Sequence, residues 1–149
     1  MSAQAWKLYN KTKRNIGKAL LPLDSTAFRI QLHTSASNFA TLTLSVIGSV
    51  DNQVSEANGY SSSGKALTGE VYTVGASAKQ YKFDTDDAFW SANGGSISNI
   101  KAAVIWISGA SAGARKLLCF ASLTSTQFAL AAGNRITIQM NASGLFTVT

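Results

Sequence analysis

The residues able to do chemistry are few and scattered. His33 is the sole histidine, so zinc sites built from several imidazoles are excluded. Any nucleophile–histidine–acid triad would depend on this one ring. It closes the alternating stretch Phe28 to Leu32 with no nucleophile beside it in sequence, and reads as a surface or structural histidine. The one acidic cluster is Phe83-Asp84-Thr85-Asp86-Asp87. Carboxylates as close as Asp84, Asp86 and Asp87 can gather a hard cation through oxygen ligands. The cluster lacks the glycine and the later glutamate of an EF-hand loop. It reads instead as a turn between Tyr81-Lys82-Phe83 and Phe89-Trp90, with aspartates accepting backbone N–H bonds. Ser63-Gly64-Lys65 is a fragment of a phosphate loop without its earlier glycine or the hydroxyl after the lysine, and no dinucleotide fingerprint is present. Cys119 is the only cysteine. No intrachain disulfide can form, and within Leu117-Leu118-Cys119-Phe120 the thiol reads as a small buried hydrophobe. The inventory yields no catalytic, cofactor-binding or metal-binding set, and the expectation is a protein that is not an enzyme and takes no cofactor.

The sharper signal is charge. The formal net charge is +6, and most of the excess lies in residues 1–29, where Lys7, Lys11, Lys13, Arg14, Lys18 and Arg29 face only Asp24. Trp6, Lys7, Tyr9, Lys11, Lys13 and Arg14 interleave aromatics with cations and are the candidate partner-binding residues, suited to an acidic surface. Elsewhere the interleaving that single-stranded nucleic acid requires is absent, so nucleic acid is not the expected partner.

These residues must be carried by a scaffold, and the composition supports one. The chain has 149 residues, 46% hydrophobic and 13% charged, matching a single globular domain with its own core rather than a disordered chain. No secretory signal or stretch long enough to span a membrane is visible, and the sequence reads as that of a soluble protein. Residues 1–22 read as a basic N-terminal arm or helix. Trp6, Tyr9, Lys13, Ile16 and Leu20 fall near helical spacing over Trp6 to Leu21, against Gly17, and Pro22 ends the segment. An irregular arm that orders on a partner is the equal alternative. Residues 23–149 read as one β-sandwich domain. Phe28, Ile30 and Leu32 mark a half-buried strand. Ser37 or Asn38 can cap a short helix to about Ile47, with a strand as the alternative given Thr41, Thr43, Val46 and Ile47. Gly48 to Gly64 reads as a loop. Strands are predicted at Ala66 to Val74, Gln80 to Asp84, Ile97 to Ser108, Lys116 to Leu123, Arg135 to Asn141 and Leu145 to Val148, with Ile97 to Ile107 apolar enough for a strand covered on both faces. Trp90, Trp106, Phe83, Phe120 and Phe146 read as core aromatics. The expected class is mainly β: an antiparallel β-sandwich or jelly-roll-like fold with a short N-terminal helix or arm.

Several segments carry a resemblance. They are Leu23-Asp24-Ser25-Thr26-Ala27-Phe28, Asn58-Gly59-Tyr60 with Gly64-Lys65-Ala66-Leu67-Thr68, Phe83-Asp84-Thr85-Asp86-Asp87 leading to Trp90, Gly94-Gly95-Ser96-Ile97, Ala103-Val104-Ile105, Leu117-Leu118-Cys119, and Ile138 to Thr147. In order and spacing they resemble a group of small structural proteins of tailed bacteriophages. The resemblance implies a non-enzymatic virion component, assembled in the host bacterial cytoplasm. Residues 6–18 and the loop Ala110 to Arg115 depart from the pattern. The expectation is a capsid-associated protein, a decoration or cement protein or a head–tail adaptor. It would contact the major capsid protein or other virion proteins, self-associate, and have no membrane partner. The alternative is a tail or tail-fibre component, with a carbohydrate site at a surface cluster of Tyr60, Tyr72 or Trp90.

Overall fold

A computed structural model describes residues 4–23, 26–75, 77, 79–109 and 111–148. Asp24, Ser25 and Ala110, which belong to the resemblance segments or the variable loop, lie outside the described residues.

Apolar residues facing both ways along a strand demand cover on both sides, and the central sheet supplies it. Its order is β1 (Lys7–Leu8), β9 (Leu117–Ser122), β8 (Ala102–Ile107), β2 (Phe28–His33) and β3 (Lys65–Ala66), with every neighbouring pair antiparallel. All of β8 is buried. On one face Phe28, Ile30, Leu32, Ala103 and Ile105 join the main core with Phe83, Trp90, Ile97 and Phe146. On the other, Val104, Trp106 and Phe120 pack with Tyr9, Phe39, Ile47 and Val50 in a second, smaller core.

The main core is closed by three small antiparallel sheets. One is β4 (Val71–Val74), β5 (Tyr81–Asp84) and β12 (Phe146–Val148). Another pairs β6 (Ala88–Ser91) with β11 (Arg135–Ile138), and the last pairs β7 (Ile97–Ile100) with β10 (Phe128–Leu130). Phe83 ties the layers together, its ring centre 5.0 Å from that of Phe28 and 5.4 Å from that of Phe146. The protein is therefore mainly β and sandwich-like, with one short helix among the described residues, α1 (Asn10–Gly17).

Several elements differ from the sequence expectation. The helix predicted over Trp6 to Leu21 is only α1. Before it the chain is extended and forms β1, where Lys7 pairs with Phe120 and Leu8 with Cys119. Residues 37–47 form neither the predicted helix nor the alternative strand; they run through turns to a single 3₁₀ turn at Ile47–Ser49. Side chains hold them there. Asn38 and Asp51 exchange hydrogen bonds, each backbone N–H donating to the other's side-chain oxygen at 2.7 and 3.0 Å. The run Ile97 to Ser108 breaks at Lys101, where the chain passes from β7, paired with β10, into β8 of the central sheet; Asn99, with φ +62°, lies inside β7. Ala66 to Val74 likewise splits, around Gly69 at φ +66°. Strands β6 and β10 were not predicted.

Candidate interaction site

The N-terminal segment is positioned by backbone pairing first and side chains second. Pairing of β1 with β9 makes it the edge of the central sheet. The Tyr9 N–H then bonds the Leu118 carbonyl and the Asn10 N–H the Leu42 carbonyl, which starts α1 against β9 and the 39–44 turns. The helix keeps its inward face by polar side chains as much as apolar ones. Thr12, 1% exposed, donates a 2.6 Å hydrogen bond to the Leu117 carbonyl, and Asn15 is buried beside it. With Arg14 in its last turn and no acid in its first, α1 places a cation near its negative end but leaves Lys11 at its positive end.

The candidate partner-binding residues consequently divide. Lys7, Lys11, Lys13 and Arg14 are exposed. Trp6 is half-buried and lines a groove of about 640 Å³ with Ile136, Ile138, Met140 and Leu145. Tyr9 is a correction to the expected docking set: it is 0% exposed, its hydroxyl donates to the Phe39 carbonyl at 2.7 Å, and its ring lies 5.1 Å from that of Phe120. Burial, with a smaller contribution from Cys119, pushes its phenol far above the ordinary value. Tyr9 is a structural anchor, because the ring completes the second core.

The other chemistry-bearing residues are tied up locally. His33 is 1% exposed, and a nucleophile that its sequence neighbourhood did not suggest is close: the Ser37 hydroxyl lies 3.3 Å from Nδ1. The Asp51 carbonyl oxygen is 3.1 Å from the same nitrogen. A triad uses opposite ring nitrogens for nucleophile and acid. Here both contacts fall on Nδ1, while Nε2 is buried with no partner among the described residues. With Nδ1–H donating to Asp51, the ring cannot accept the serine proton there. Burial lowers the pKa of His33, the Asp51 carbonyl and charge opposing the shift.

The aspartates diverge. Asp84 lies 3.7 Å from the Lys82 ammonium, Asp86 accepts from the Thr68 hydroxyl at 2.9 Å, and Asp87 accepts from the Met140 N–H at 2.7 Å. Among the described residues no group of three or more His, Cys, Asp or Glu is placed to hold a metal ion. Cys119 is fully buried, and desolvation pushes its thiol well above the ordinary value. Two of the three aromatics offered for carbohydrate are buried in the core. Tyr60 and Trp90 are 3% and 5% exposed, and Tyr60 donates and accepts at the Leu32 backbone. Tyr72 is half-buried and stacks on Tyr81 at 5.6 Å. The core needed these rings.

One surface arrangement escaped the sequence reading. Phe89, 38% exposed, has the Lys65 ammonium 3.9 Å and the Arg135 guanidinium 3.6 Å from its ring centre. These residues come from β6, β3 and β11, far apart in sequence, so no local motif announces them.

The geometry defines a class: a sandwich-like β protein whose polar, titratable side chains serve packing and turns, with cations left on the surface. No protein-family model matches the chain, and neither a curated protein nor a solved structure is significantly similar to it. Among the described residues no helix is long and apolar enough to cross a membrane.

Proposed function

We propose that this protein is a non-enzymatic structural component of a bacteriophage virion, associated with the capsid as a decoration, cement or head–tail adaptor protein, acting by protein–protein contact. The observation that carries the reading is the division of side chains just described. His33, Cys119, Tyr9 and Tyr60 are buried in structural hydrogen bonds or packing, while Lys7, Lys11, Lys13 and Arg14 are left to solvent. Exposed charge on a stiff scaffold suits repeated contact with an acidic surface, and each tethered copy raises the effective concentration for further contacts. The segments that resemble small tailed-phage structural proteins point the same way.

Self-association belongs to the same proposal. Strand β4 is the edge of its sheet, and Val71, Val74 and the adjoining Tyr81 are 42%, 50% and 46% exposed. An apolar edge of that kind is protected when copies pair across it. The tail-fibre alternative loses its carbohydrate cluster with the burial of Tyr60 and Trp90. Imaging purified particles by electron cryo-microscopy, with mass spectrometry of their proteins, tests the reading. Density for this fold on the shell or neck is the expected result. Density on tail fibres, or absence of the chain from purified particles, would overturn it.

A further inference from the structure

A second basic feature lies away from the N-terminal segment, where the ends of β2 and β8 meet the loop after β8. A pocket of about 280 Å³ is lined there by Arg29, Arg115, Trp106, Ser62, Ser63 and Ser108, among others. Both guanidiniums are held by main-chain oxygens. Arg29 donates from Nε to Ser63 at 2.8 Å and from Nη2 to Gly64 at 2.7 Å, and Arg115 donates from Nε to Gly109 at 3.1 Å. Trp106, 4% exposed, lies beneath, its ring centre 5.9 Å from the Arg115 guanidinium. Carbonyl bonds fix the direction of a guanidinium without cancelling its charge, and among the described residues Nη1 of Arg29 and both Nη atoms of Arg115 have no acceptor. Among the described residues no carboxylate lines the pocket, and neither arginine is in a salt bridge. The corner is rich in donors and lacks an anion.

We propose that this pocket receives carboxylate side chains of an acidic protein segment, clamped between Arg29 and Arg115. The proposal rests on the reading that the chain works by protein contact, and it names the chemistry of the partner. Preorganised guanidiniums bind carboxylates through charge-assisted, bidentate hydrogen bonds. The pocket is smaller than the roughly 300–1,000 Å³ of organic-ligand sites, and holds one or two side-chain ends. Nucleic acid requires a track of cations with rings open for stacking, and the Trp106 ring is covered. The basic helix packs on the strand that follows Arg115: Thr12 bonds the Leu117 carbonyl, two residues further on. The exposed Lys11, Lys13 and Arg14 add to the positive field that draws an acidic partner to the chain.

The test titrates an oligoglutamate peptide into the purified full-length chain at low salt, following the Arg29 and Arg115 side-chain N–H signals by NMR and the affinity by calorimetry. Oligoglutamine, inorganic phosphate and a short DNA duplex serve as competitors. Expected are saturable shifts of both arginine signals and weakening with added salt. Loss of about tenfold or more in affinity is expected in Arg115→Gln, the cost of one charge-assisted pair. Arg115 is exposed and makes a single main-chain bond, so this variant keeps the fold even where Arg29→Gln disturbs the 62–64 turn. Oligoglutamate no tighter than oligoglutamine, unchanged affinity in Arg115→Gln, or tighter binding of phosphate or DNA would each overturn the proposal. Failure here with the chain present in purified particles removes the pocket alone. Peptide binding with the chain absent from particles removes the virion reading and leaves the pocket.

Discussion

The Tyr9 hydroxyl donates its hydrogen bond to the Phe39 carbonyl across a sequence separation of 30. One buried side chain thus ties the start of α1 to the turns that cover the far face of the central sheet. Removing the hydroxyl alone leaves that carbonyl unpaired, and Tyr9→Phe is expected to cost about 1–3 kcal/mol. Tyr9→Ala also empties a site packed against Phe120 and is expected to cost about 3–5 kcal/mol. Urea unfolding measures both, and an unchanged midpoint in Tyr9→Ala would mean that the segment is not part of the cooperative unit.

The Asn58-Gly59 turn makes a second, backbone-level prediction. Both residues have positive φ, +55° and +95°, and the Tyr60 N–H closes the turn on the Ala57 carbonyl at 2.9 Å. A Cβ at Gly59 would collide with the Ser91 main-chain oxygen, which cannot swing away as a side chain can. Gly59→Ala is expected to lose about 2 kcal/mol or more through left-handed strain and displacement of β6. Gly94→Ala also has positive φ but nothing within 4 Å of the added carbon, so it should lose less. Equal losses in the two variants would refute the collision.

Burial of His33 sets a pH dependence. Its folded-state pKa lies below the ordinary value, so the unfolded chain takes up a proton near pH ~6.5 that the folded chain still refuses. Stability is complete above that pH and falls as acid is added, by at most about 1.4 kcal/mol per pH unit, until the folded ring also protonates. Denaturant unfolding at about pH 7.5 and about pH 5.5, where most carboxylates remain ionised, isolates the effect. The expected result is lower stability at the acid value and a smaller difference in His33→Gln. A parent protein equally stable at both would show that the ring does not stay neutral in its site.

Cys119 should be chemically silent while the protein is folded. Thiolate is the reactive form, and full burial disfavours it. A thiol-specific aromatic disulfide is expected to react with the native protein only as fast as global opening allows, and at once in denaturant. Labelling on mixing without unfolding would place the thiol at the surface.

The fold class was legible because β periodicity is local. Arg135 to Ile138 alternates visibly, and β8 shows its double cover as an unbroken apolar run. What escaped depends on contacts distant in sequence. Thr12 and Asn15 are polar and do not advertise an inward helix face; both are buried, and Thr12 donates to the Leu117 carbonyl at the start of β9. The change of sheet at Lys101 falls between the apolar Ile100 and Ala102, with no glycine or proline to mark it, so the run Ile97 to Ile107 looked like one strand. The turns at 37–47 are specified by the Asn38–Asp51 exchange rather than by propensity. At the candidate site the charges of Lys11, Lys13 and Arg14 were readable, whereas the withdrawal of Tyr9 and the Arg29–Arg115 pocket required the sheet.

The same integration decides how the basic segment must be tested. Deleting residues 1–18 would remove β1, Tyr9 and Thr12 together, and a loss of particle binding would then report unfolding as readily as a lost contact. Neutralising Lys11, Lys13 and Arg14 to glutamine separates the two, because these side chains are exposed. Losing Arg14 forfeits a favourable interaction with the helix end while losing Lys11 relieves an unfavourable one. The net change in stability is expected to stay within about 0.5 kcal/mol. If the virion reading holds, the triple variant should fold as the parent does yet occupy particles poorly, most visibly as salt screens the remaining charges over a length of about 8–10 Å. Full occupancy by a normally folded variant would locate the contact elsewhere, at the Arg29–Arg115 pocket or at the Lys65–Phe89–Arg135 cluster.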